Sequence, residues 1–285
     1  MLYSVGRRDE VRRLLRMTIE EMIEKAKGHL VVVETLEDLH RHFAESIANE
    51  IKENNAKGRP TRLILPVGPT GQYPILRDII NDERISLKNC YFFFMDEYCD
   101  DNGCVLSEDH PLSLRGTVKR IFFDHIDPEL NIPPENLIFP THLNIHQLKD
   151  KIASVGGIDT CYGGIGIHGH VAFNEPEPGV ENTDPRLVYL NEYTITMNAI
   201  RAHVGGNIVN FPRKAVTLGM RQILSARRIR LYCRNGGEWD WANMVLRIAL
   251  FGKPGDDFPV TYIRKHPDYL IVADVDTASK PKYIL

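Results

Sequence analysis

The most informative stretch of this chain is residues 163–176, which read Gly-Gly-Ile-Gly-Ile-His-Gly-His-Val-Ala-Phe-Asn-Glu-Pro. Residues 158–162 before it predict the end of a buried strand, and the glycines that follow allow a sharp turn where a Cβ atom would clash. The loop then carries two imidazoles, His168 and His170, and a carboxylate, Glu175, that could orient one of them. Because α/β proteins keep their chemistry in loops at the carboxyl ends of strands, we expect a site here.

A second loop follows residues 63–65, an apolar run that predicts another buried strand, and it comes directly before a predicted helix. The loop carries Gly68, Pro69, Thr70 and Gly71. Such a turn places backbone N–H groups and the positive end of a helix dipole where an anion can bind. The plainer alternative is an ordinary connection between a strand and a helix, and the loop by itself does not decide between the two.

Two acids, Asp96 and Glu97, come directly after the apolar residues 89–95, which predict a strand buried on both faces. Acids at the carboxyl end of a strand are well placed to exchange a proton with a bound molecule. The alternative is that one or both side chains cap the next turn. The sequence therefore leaves a chemical and a structural role open for each acid.

Strands and helices alternate along most of the chain. Apolar runs predict strands at residues 30–33, 63–65, 89–95, 158–162, 215–218, 228–233, 260–263 and 269–273. Amphipathic segments predict helices at residues 7–28, 35–55, 113–125, 146–155, 196–204 and 239–251. This alternation predicts an α/β fold with a Rossmann-like, mostly parallel sheet and helices on both faces. We predict one domain over residues 30–285, preceded by an N-terminal helical extension over residues 1–29.

The composition is ordinary for a globular protein of 285 residues, with 43% hydrophobic residues and a formal net charge of -3. Charges of both signs are interspersed, which argues against nucleic acid and an anionic membrane surface as partners. No apolar run approaches the roughly 20 residues that cross a bilayer, and no secretory signal is recognisable, so we expect a cytoplasmic protein. The five cysteines show no paired spacing of the zinc type and are expected to be reduced thiols. A small-molecule substrate is the favoured partner.

Several motifs are similar to those of one enzyme family. They are residues 169–176 (Gly-His-Val-Ala-Phe-Asn-Glu-Pro), 95–98 (Met-Asp-Glu-Tyr), 110–113, 122–125, 218–219 and 266–267. From about residue 30 to residue 274 the chain resembles the glucosamine-6-phosphate deaminase (isomerase) family, whose fold is shared with the 6-phosphogluconolactonases. The first of these motifs resembles the loop of the deaminases and not that of the lactonases.

The resemblance implies a reaction without a redox cofactor, in the hydrolase or isomerase class. The residue matching Asp96 moves a proton between C2 and C1 of an open-chain amino sugar phosphate, which gives a ketose phosphate and ammonia. The residue matching His170 opens the pyranose ring, and the one matching Glu175 is its partner. These residue types suit those steps, because a carboxylate can act as base and then acid and an imidazole exchanges protons near neutral pH. The family often forms oligomers, so we also expect a homo-oligomer.

The chain departs from the family pattern at three places. His168 stands where the family has an aspartate, and an imidazole does not stabilise a neighbouring imidazolium as a carboxylate does, so ring opening should suffer. The phosphate loop contains Pro69, which lacks a backbone N–H. A phosphate-binding lysine of the family has no counterpart in residues 234–238, so we expect Arg234 and Arg201 to bind the phosphate together with the loop from Gly68 to Gly71.

Two other functions compete with an aminosugar-phosphate isomerase or deaminase. The first is a sugar-phosphate-binding or regulatory protein that kept the pocket and lost turnover, as His168 and the missing lysine suggest. The second is a metal site, because His168, His170, Glu175 and Asp96 have ligand types that suit zinc, although we expect no metal. Lactonase activity is the least favoured. Trp239, Trp241 and the basic residues 227–230 are expected to serve packing and solvation.

Overall fold

A seven-stranded sheet forms the centre of the protein in the computed structural model, which describes residues 5–236 and 239–285. The strands in these ranges are β1 Leu30–Val33, β2 Thr61–Leu65, β3 Cys90–Phe94, β4 Asp96–Cys99, β5 Leu137–Ile138, β6 Thr160–Gly164, β7 Arg186–Tyr189, β8 Lys214–Thr217, β9 Arg228–Cys233 and β10 Tyr269–Asp274. The large sheet has the order β1-β10-β9-β6-β2-β3-β5, and all its neighbouring pairs are parallel. The predicted α/β class with a mostly parallel sheet is confirmed.

Helices pack against the sheet and bury both of its faces. They are α1 Arg8–Leu15, α2 Ile19–Ala26, α3 Leu36–Ala56, α4 Gln72–Asp82, α5 Leu114–Ile121, α6 Leu148–Ser154, α7 Glu192–Arg201, α8 Met220–Leu224, α9 Ala242–Phe251 and α10 Val275–Ala278. Successive side chains of β2 alternate between two cores: Leu63 and Leu65 pack with α3 and α4, while Ile64 packs with α6 and α9. None of the helices in the described residues has the length and apolar character of a membrane span.

Three strands form a second, antiparallel sheet with the order β4-β8-β7, which the sequence did not reveal. We predicted residues 215–218 as a strand of the main sheet, and that prediction is wrong. The chain changes sheets at Met95, whose N–H donates to Leu65 of β2 and whose carbonyl accepts from the N–H of Leu218. Asp96, the first residue of β4, therefore lies at the junction of the two sheets.

Residues 7–28 form two helices, α1 and α2, and not the single helix that we predicted. The break has a local cause in Thr18, which caps α2. Its hydroxyl accepts a hydrogen bond from the N–H of Glu21, and the Glu21 carboxylate accepts one from the N–H of Thr18. This reciprocal cap satisfies N–H groups that a new helix start would otherwise leave unpaired.

Two other predictions of local structure are wrong. Residues 260–263 lie in the 3₁₀ helix Pro259–Lys265 and not in a strand, because a short buried apolar run fits either structure. The helix predicted at residues 196–204 begins earlier, at Glu192, because the Asn191 side chain accepts a hydrogen bond from the N–H of Thr194.

A fully buried arginine, Arg247 of α9, ties the N-terminal helices to the C-terminal end of the chain. Its guanidinium donates to the carbonyls of Met17 at 3.0 Å, Ala278 at 2.9 Å and Asn243 at 3.1 Å. Burial lowers the pKa of Arg247 to about 10, so the group stays charged at neutral pH. The side chain of Leu14 in α1 lies in the same hydrophobic core as residues of α9. The domain boundary that we placed at residue 30 stays a prediction.

We expect Arg247→Met to destabilise the fold by about 2 to 4 kcal/mol, because it leaves the carbonyls of Met17 and Ala278 buried without a donor. Urea unfolding followed by circular dichroism measures this. The control is Arg13→Met on the exposed side of α1, which should change stability by less than about 0.5 kcal/mol. Equal midpoints for the two variants would contradict the role assigned to Arg247.

Candidate active site

A cavity of about 410 Å³ lies at the carboxyl ends of β2, β3, β6 and β9. Its walls come from the loops that follow these strands, from the start of β4 and from α7. The volume is in the range of small-molecule sites, roughly 300 to 1,000 Å³. Of the predicted site residues, the cavity wall contains Gly68, Pro69, Thr70, Asp96, His170, Arg201 and Arg234, while Gly71, His168 and Glu175 lie behind it.

The two adjacent acids have separate environments. Asp96 faces the cavity, and its carboxyl has no hydrogen-bond partner among the described residues. Burial, and secondly the charge of Glu97, raise the pKa of Asp96 to about 8. Glu97 turns away and caps α5: its carboxylate accepts hydrogen bonds from the N–H groups of Leu114 and Arg115 at 2.9 and 2.8 Å, and from the Ser113 hydroxyl at 3.1 Å. Glu97 thus has the structural role that the sequence left open, and Asp96 is the acid that lines the cavity.

His170 lies opposite a glycine that leaves room for its ring. A Cβ atom on Gly166 would lie 1.9 Å from Nε2 of His170, so a larger residue at that position would displace the imidazole. The Gly166 N–H also donates to the His170 carbonyl at 2.9 Å, which closes the loop on itself. The glycine-rich stretch thus places the imidazole edge at the cavity wall, as we expected from the turn.

Behind His170 lies a buried polar cluster made of His168, Glu175, Asn191 and Thr194. Nε2 of His168 is 2.9 Å from Oε2 of Glu175, and Nδ2 of Asn191 donates to the same carboxylate oxygen at 2.5 Å. The hydroxyl of Thr194 lies 3.2 Å from Nε2 of His168 and 3.4 Å from Nδ1 of His170. The cluster connects the imidazole at the cavity wall to a carboxylate that does not reach the cavity.

The electrostatics of the cluster keep one group neutral and another charged. Burial lowers the pKa of His170 to about 4; Glu175 opposes this, while His168 and Arg201 add to it. Burial alone would raise the pKa of Glu175, but the hydrogen bond from His168 and the two histidines outweigh it and hold that pKa below its usual value. At neutral pH the site therefore presents a neutral imidazole backed by an ionised carboxylate.

The other end of the cavity carries positive charge. Arg201, at the last turn of α7, donates to the carbonyl of Gly68 at 3.3 Å. Burial, and secondly the charge of Arg201, lower the pKa of Arg234 to about 10, which leaves both guanidinium groups charged at neutral pH. The loop with Pro69 and Thr70 enters the N-terminus of α4, whose dipole also favours an anion.

Some side chains differ from their predicted roles. Trp241, which we expected to serve packing alone, lines the cavity beside Arg234. Gly71 packs on the ring of His40, where a Cβ atom would lie 2.2 Å away. Sequence analysis missed Tyr98 and Asn198, which line the cavity and bond each other, together with Asn191 and Thr194. Asn191 and Thr194 could have been found from the sequence, because an asparagine in this position is a typical N-cap residue of a helix.

A nitrogen of each of His168 and His170 and an oxygen of Glu175 lie within 4.8 Å of one another, a set that could hold a metal ion. The same atoms are engaged in hydrogen bonds, because Asn191 donates to Glu175 and lies 2.7 Å from His168. Thr194 fills the space between the two rings. Nδ1 of His168 and Oε1 of Glu175 remain buried without a hydrogen-bond partner, and the absence of a metal stays a prediction.

The fold and the cavity define an α/β protein with a cavity lined by an acid, an imidazole and two cations at the carboxyl edge of its parallel sheet. No protein-family model matches the chain. A glucosamine-6-phosphate deaminase from Thermoanaerobacter pseudethanolicus is 30% identical over 88% of this chain and 94% of that protein. One from Caenorhabditis elegans is 34% identical over 71% of this chain and 74% of that protein. The chain belongs to the glucosamine-6-phosphate deaminase family.

Solved structures agree with this assignment. A monomeric glucosamine-6-phosphate deaminase has a TM-score of 0.77 and 29% identity, over 88% of this chain and 99% of that chain. A 6-phosphogluconolactonase from Thermotoga maritima shares the fold at a TM-score of 0.63 and 15% identity, over 86% of this chain and 98% of that chain. The family resemblance seen in the sequence is confirmed, as is the fold shared with the lactonases.

Proposed function

We propose that this protein converts glucosamine 6-phosphate, or a close relative of it, to a ketose 6-phosphate and ammonia. One observation carries the proposal: a buried acid, Asp96, and a neutral imidazole, His170, line the same cavity as two cations, Arg201 and Arg234. Proton-transfer groups at one end and cations at the other suit a sugar with a reactive head and a phosphate tail.

The reaction begins with ring opening. Neutral His170 takes the proton of the anomeric hydroxyl and passes it to the ring oxygen, which gives the open-chain aldehyde. Asp96 in its carboxylate form then removes the proton on C2 and returns it to C1, while the carbonyl oxygen gains one proton and the amino group loses one, so that the oxygen becomes a hydroxyl and the amine an imine. The product is a ketimine, and water adds to its carbon and releases ammonia. The phosphate meanwhile stays on Arg201 and Arg234.

Ammonia release from glucosamine 6-phosphate tests the proposal, with product ketose measured in parallel. A wild-type protein that is inactive on a panel of phosphorylated amino sugars would contradict it. A second candidate function is that of a binding protein without turnover, and the presence of His168 beside Glu175 is the observation that favours it. Calorimetry that shows binding, no turnover by the wild type and turnover by His168→Asp would favour that candidate.

We expect Arg234→Met to raise the KM for glucosamine 6-phosphate by about 10- to 100-fold with a much smaller change in kcat, because it removes one charged contact to the phosphate and leaves Asp96 and His170 in place. Steady-state kinetics measure this. The exposed Arg213→Met is the matched control and should leave KM unchanged. An unchanged KM in Arg234→Met would place the phosphate elsewhere.

Two finer expectations remain proposals. We expect a homo-oligomer, although one structural relative is described as monomeric, and analytical ultracentrifugation decides between the two states. We also keep a cytoplasmic location as a prediction.

A further inference from the structure

A tyrosine and an asparagine at the cavity wall join the two elements that carry its chemical groups. Tyr98 lies two residues after Asp96 on β4, so both side chains are on the same face of the strand. Asn198 lies three residues before Arg201 on α7, so these two side chains are neighbours on the helix surface. All four residues line the cavity, and the Asn198 amide donates to the Tyr98 hydroxyl at 2.9 Å. The Tyr98–Asn198 pair therefore lies between the acid and the cation.

The hydrogen bond within this pair leaves one donor and one acceptor unused. Burial, and secondly the charge of Asp96, raise the pKa of Tyr98 above its usual value, so the phenol keeps its proton at neutral pH. No group among the described residues accepts that proton, and none donates to Oδ1 of Asn198, which is not fully buried. Turning the amide over exchanges the two roles and again leaves one donor and one acceptor. The pair can therefore bind a group that both donates and accepts.

The packing of Tyr98 fixes where its hydroxyl lies. The residue is only 6% exposed, and its ring packs against those of Phe173 and Phe211 with centroid distances of 5.3 and 5.6 Å. A phenol held in this way loses little further freedom when a ligand binds. A ligand that displaces water from the cavity without offering a partner leaves the phenol unpaired, which weakens binding. The pair therefore favours a ligand with a hydroxyl at this point over one without it.

A sugar hydroxyl has the matching chemistry, because it donates one hydrogen bond and accepts others. In the proposed reaction Asp96 acts at C1 and C2 while Arg201 holds the phosphate on C6, so the pair lies beside the carbons between them. We propose that Tyr98 and Asn198 together bind one hydroxyl of those carbons, at C3 or C4, and that this contact makes the protein select a substrate hydroxylated there. The inference rests on the proposed function and adds two substrate-binding residues to it.

Calorimetry with three inert ligands tests this. D-Glucitol 6-phosphate has no carbonyl group and cannot react, and its 3-deoxy and 4-deoxy forms each lack one hydroxyl. We expect the wild type to bind one of the two deoxy compounds about 20-fold more weakly than the parent. Tyr98→Phe should reduce that difference to about threefold, because phenylalanine keeps the ring and removes the hydroxyl. The matched control is Tyr189→Phe, at an exposed tyrosine of β7, which should keep the full difference.

Asn198→Ala should reduce the difference for the same deoxy compound, since both side chains bind one hydroxyl. Full discrimination in Tyr98→Phe, or a loss in Asn198→Ala that concerns the other deoxy compound, would overturn the proposal. So would a wild type that binds all three ligands equally or binds none of them. Binding is measured here without turnover. A wild type that discriminates among these ligands but releases no ammonia from glucosamine 6-phosphate would therefore contradict the proposed function and leave the role of the pair standing.

Discussion

Asp96→Asn is expected to reduce turnover of glucosamine 6-phosphate by about 10³-fold or more. The carboxylate of Asp96 is the acid group that faces the cavity, and the neutral amide cannot accept the proton on C2. Substrate affinity should change little, because the phosphate end of the cavity is built from other residues. Ammonia release and calorimetric binding on the same preparation separate the two effects.

The pH dependence of the wild type follows from the same group. Because the pKa of Asp96 is raised to about 8, the free enzyme holds it protonated at neutral pH, and kcat/KM should rise as pH increases through about 8. The folded protein binds this proton more tightly than the unfolded chain, whose aspartates titrate near pH 4. Its contribution to stability is therefore present below about pH 4 and lost as pH rises to about 8. The Asp96→Asn variant has no carboxyl group to ionise at this position. Its free energy of unfolding should therefore exceed that of the wild type at pH 9 and equal it at low pH.

Glu97→Gln is the control for Asp96→Asn. It changes the neighbouring acid, whose carboxylate caps α5 with hydrogen bonds from Leu114, Arg115 and Ser113. The glutamine side chain carries an N–H₂ group in place of one carboxylate oxygen, and this group would face the same hydrogen-bond donors. The free energy of unfolding should therefore fall by about 1 to 3 kcal/mol, while the folded protein keeps most of its activity. Equal losses of turnover in the two variants would contradict the division of roles between the acids.

Gly166→Ala is expected to lower kcat by about 10²-fold. The added Cβ would lie 1.9 Å from Nε2 of His170, a distance that forces the imidazole out of the cavity wall. Displacing a proton-transfer group by about 1 Å is enough for a loss of this size. The fold should survive, because the atoms that must move belong to a side chain beside an open cavity.

Activity and thermal unfolding of Gly166→Ala should be compared with those of Gly6→Ala, a glycine whose added Cβ meets no atom within 4 Å. Gly6→Ala should match wild type in both. A Gly166→Ala variant with wild-type kcat would mean that the position of His170 does not limit the reaction.

Local sequence patterns were sufficient to predict the class of fold and the loops that line the cavity. Apolar runs separated by amphipathic segments specify strands and helices locally, so the parallel sheet was predictable. Glycines at the end of β6 predicted a sharp turn at the carboxyl edge, because such turns depend on residues close together in the chain. The capping pair Thr18 and Glu21 carried the signal for the break between α1 and α2, and we missed it.

The contacts between residues distant in the chain depend on three-dimensional packing. The antiparallel pairing of β4 with β8, the choice of Asp96 for the cavity and of Glu97 for α5, and the placement of Thr194 beside His170 each join segments that are distant in the chain. Such contacts depend on how packed layers fill space, and the order of residues alone does not specify that packing. The local sequence pattern thus indicated which acids and imidazoles are candidates for the site, and packing determined which of them face the cavity.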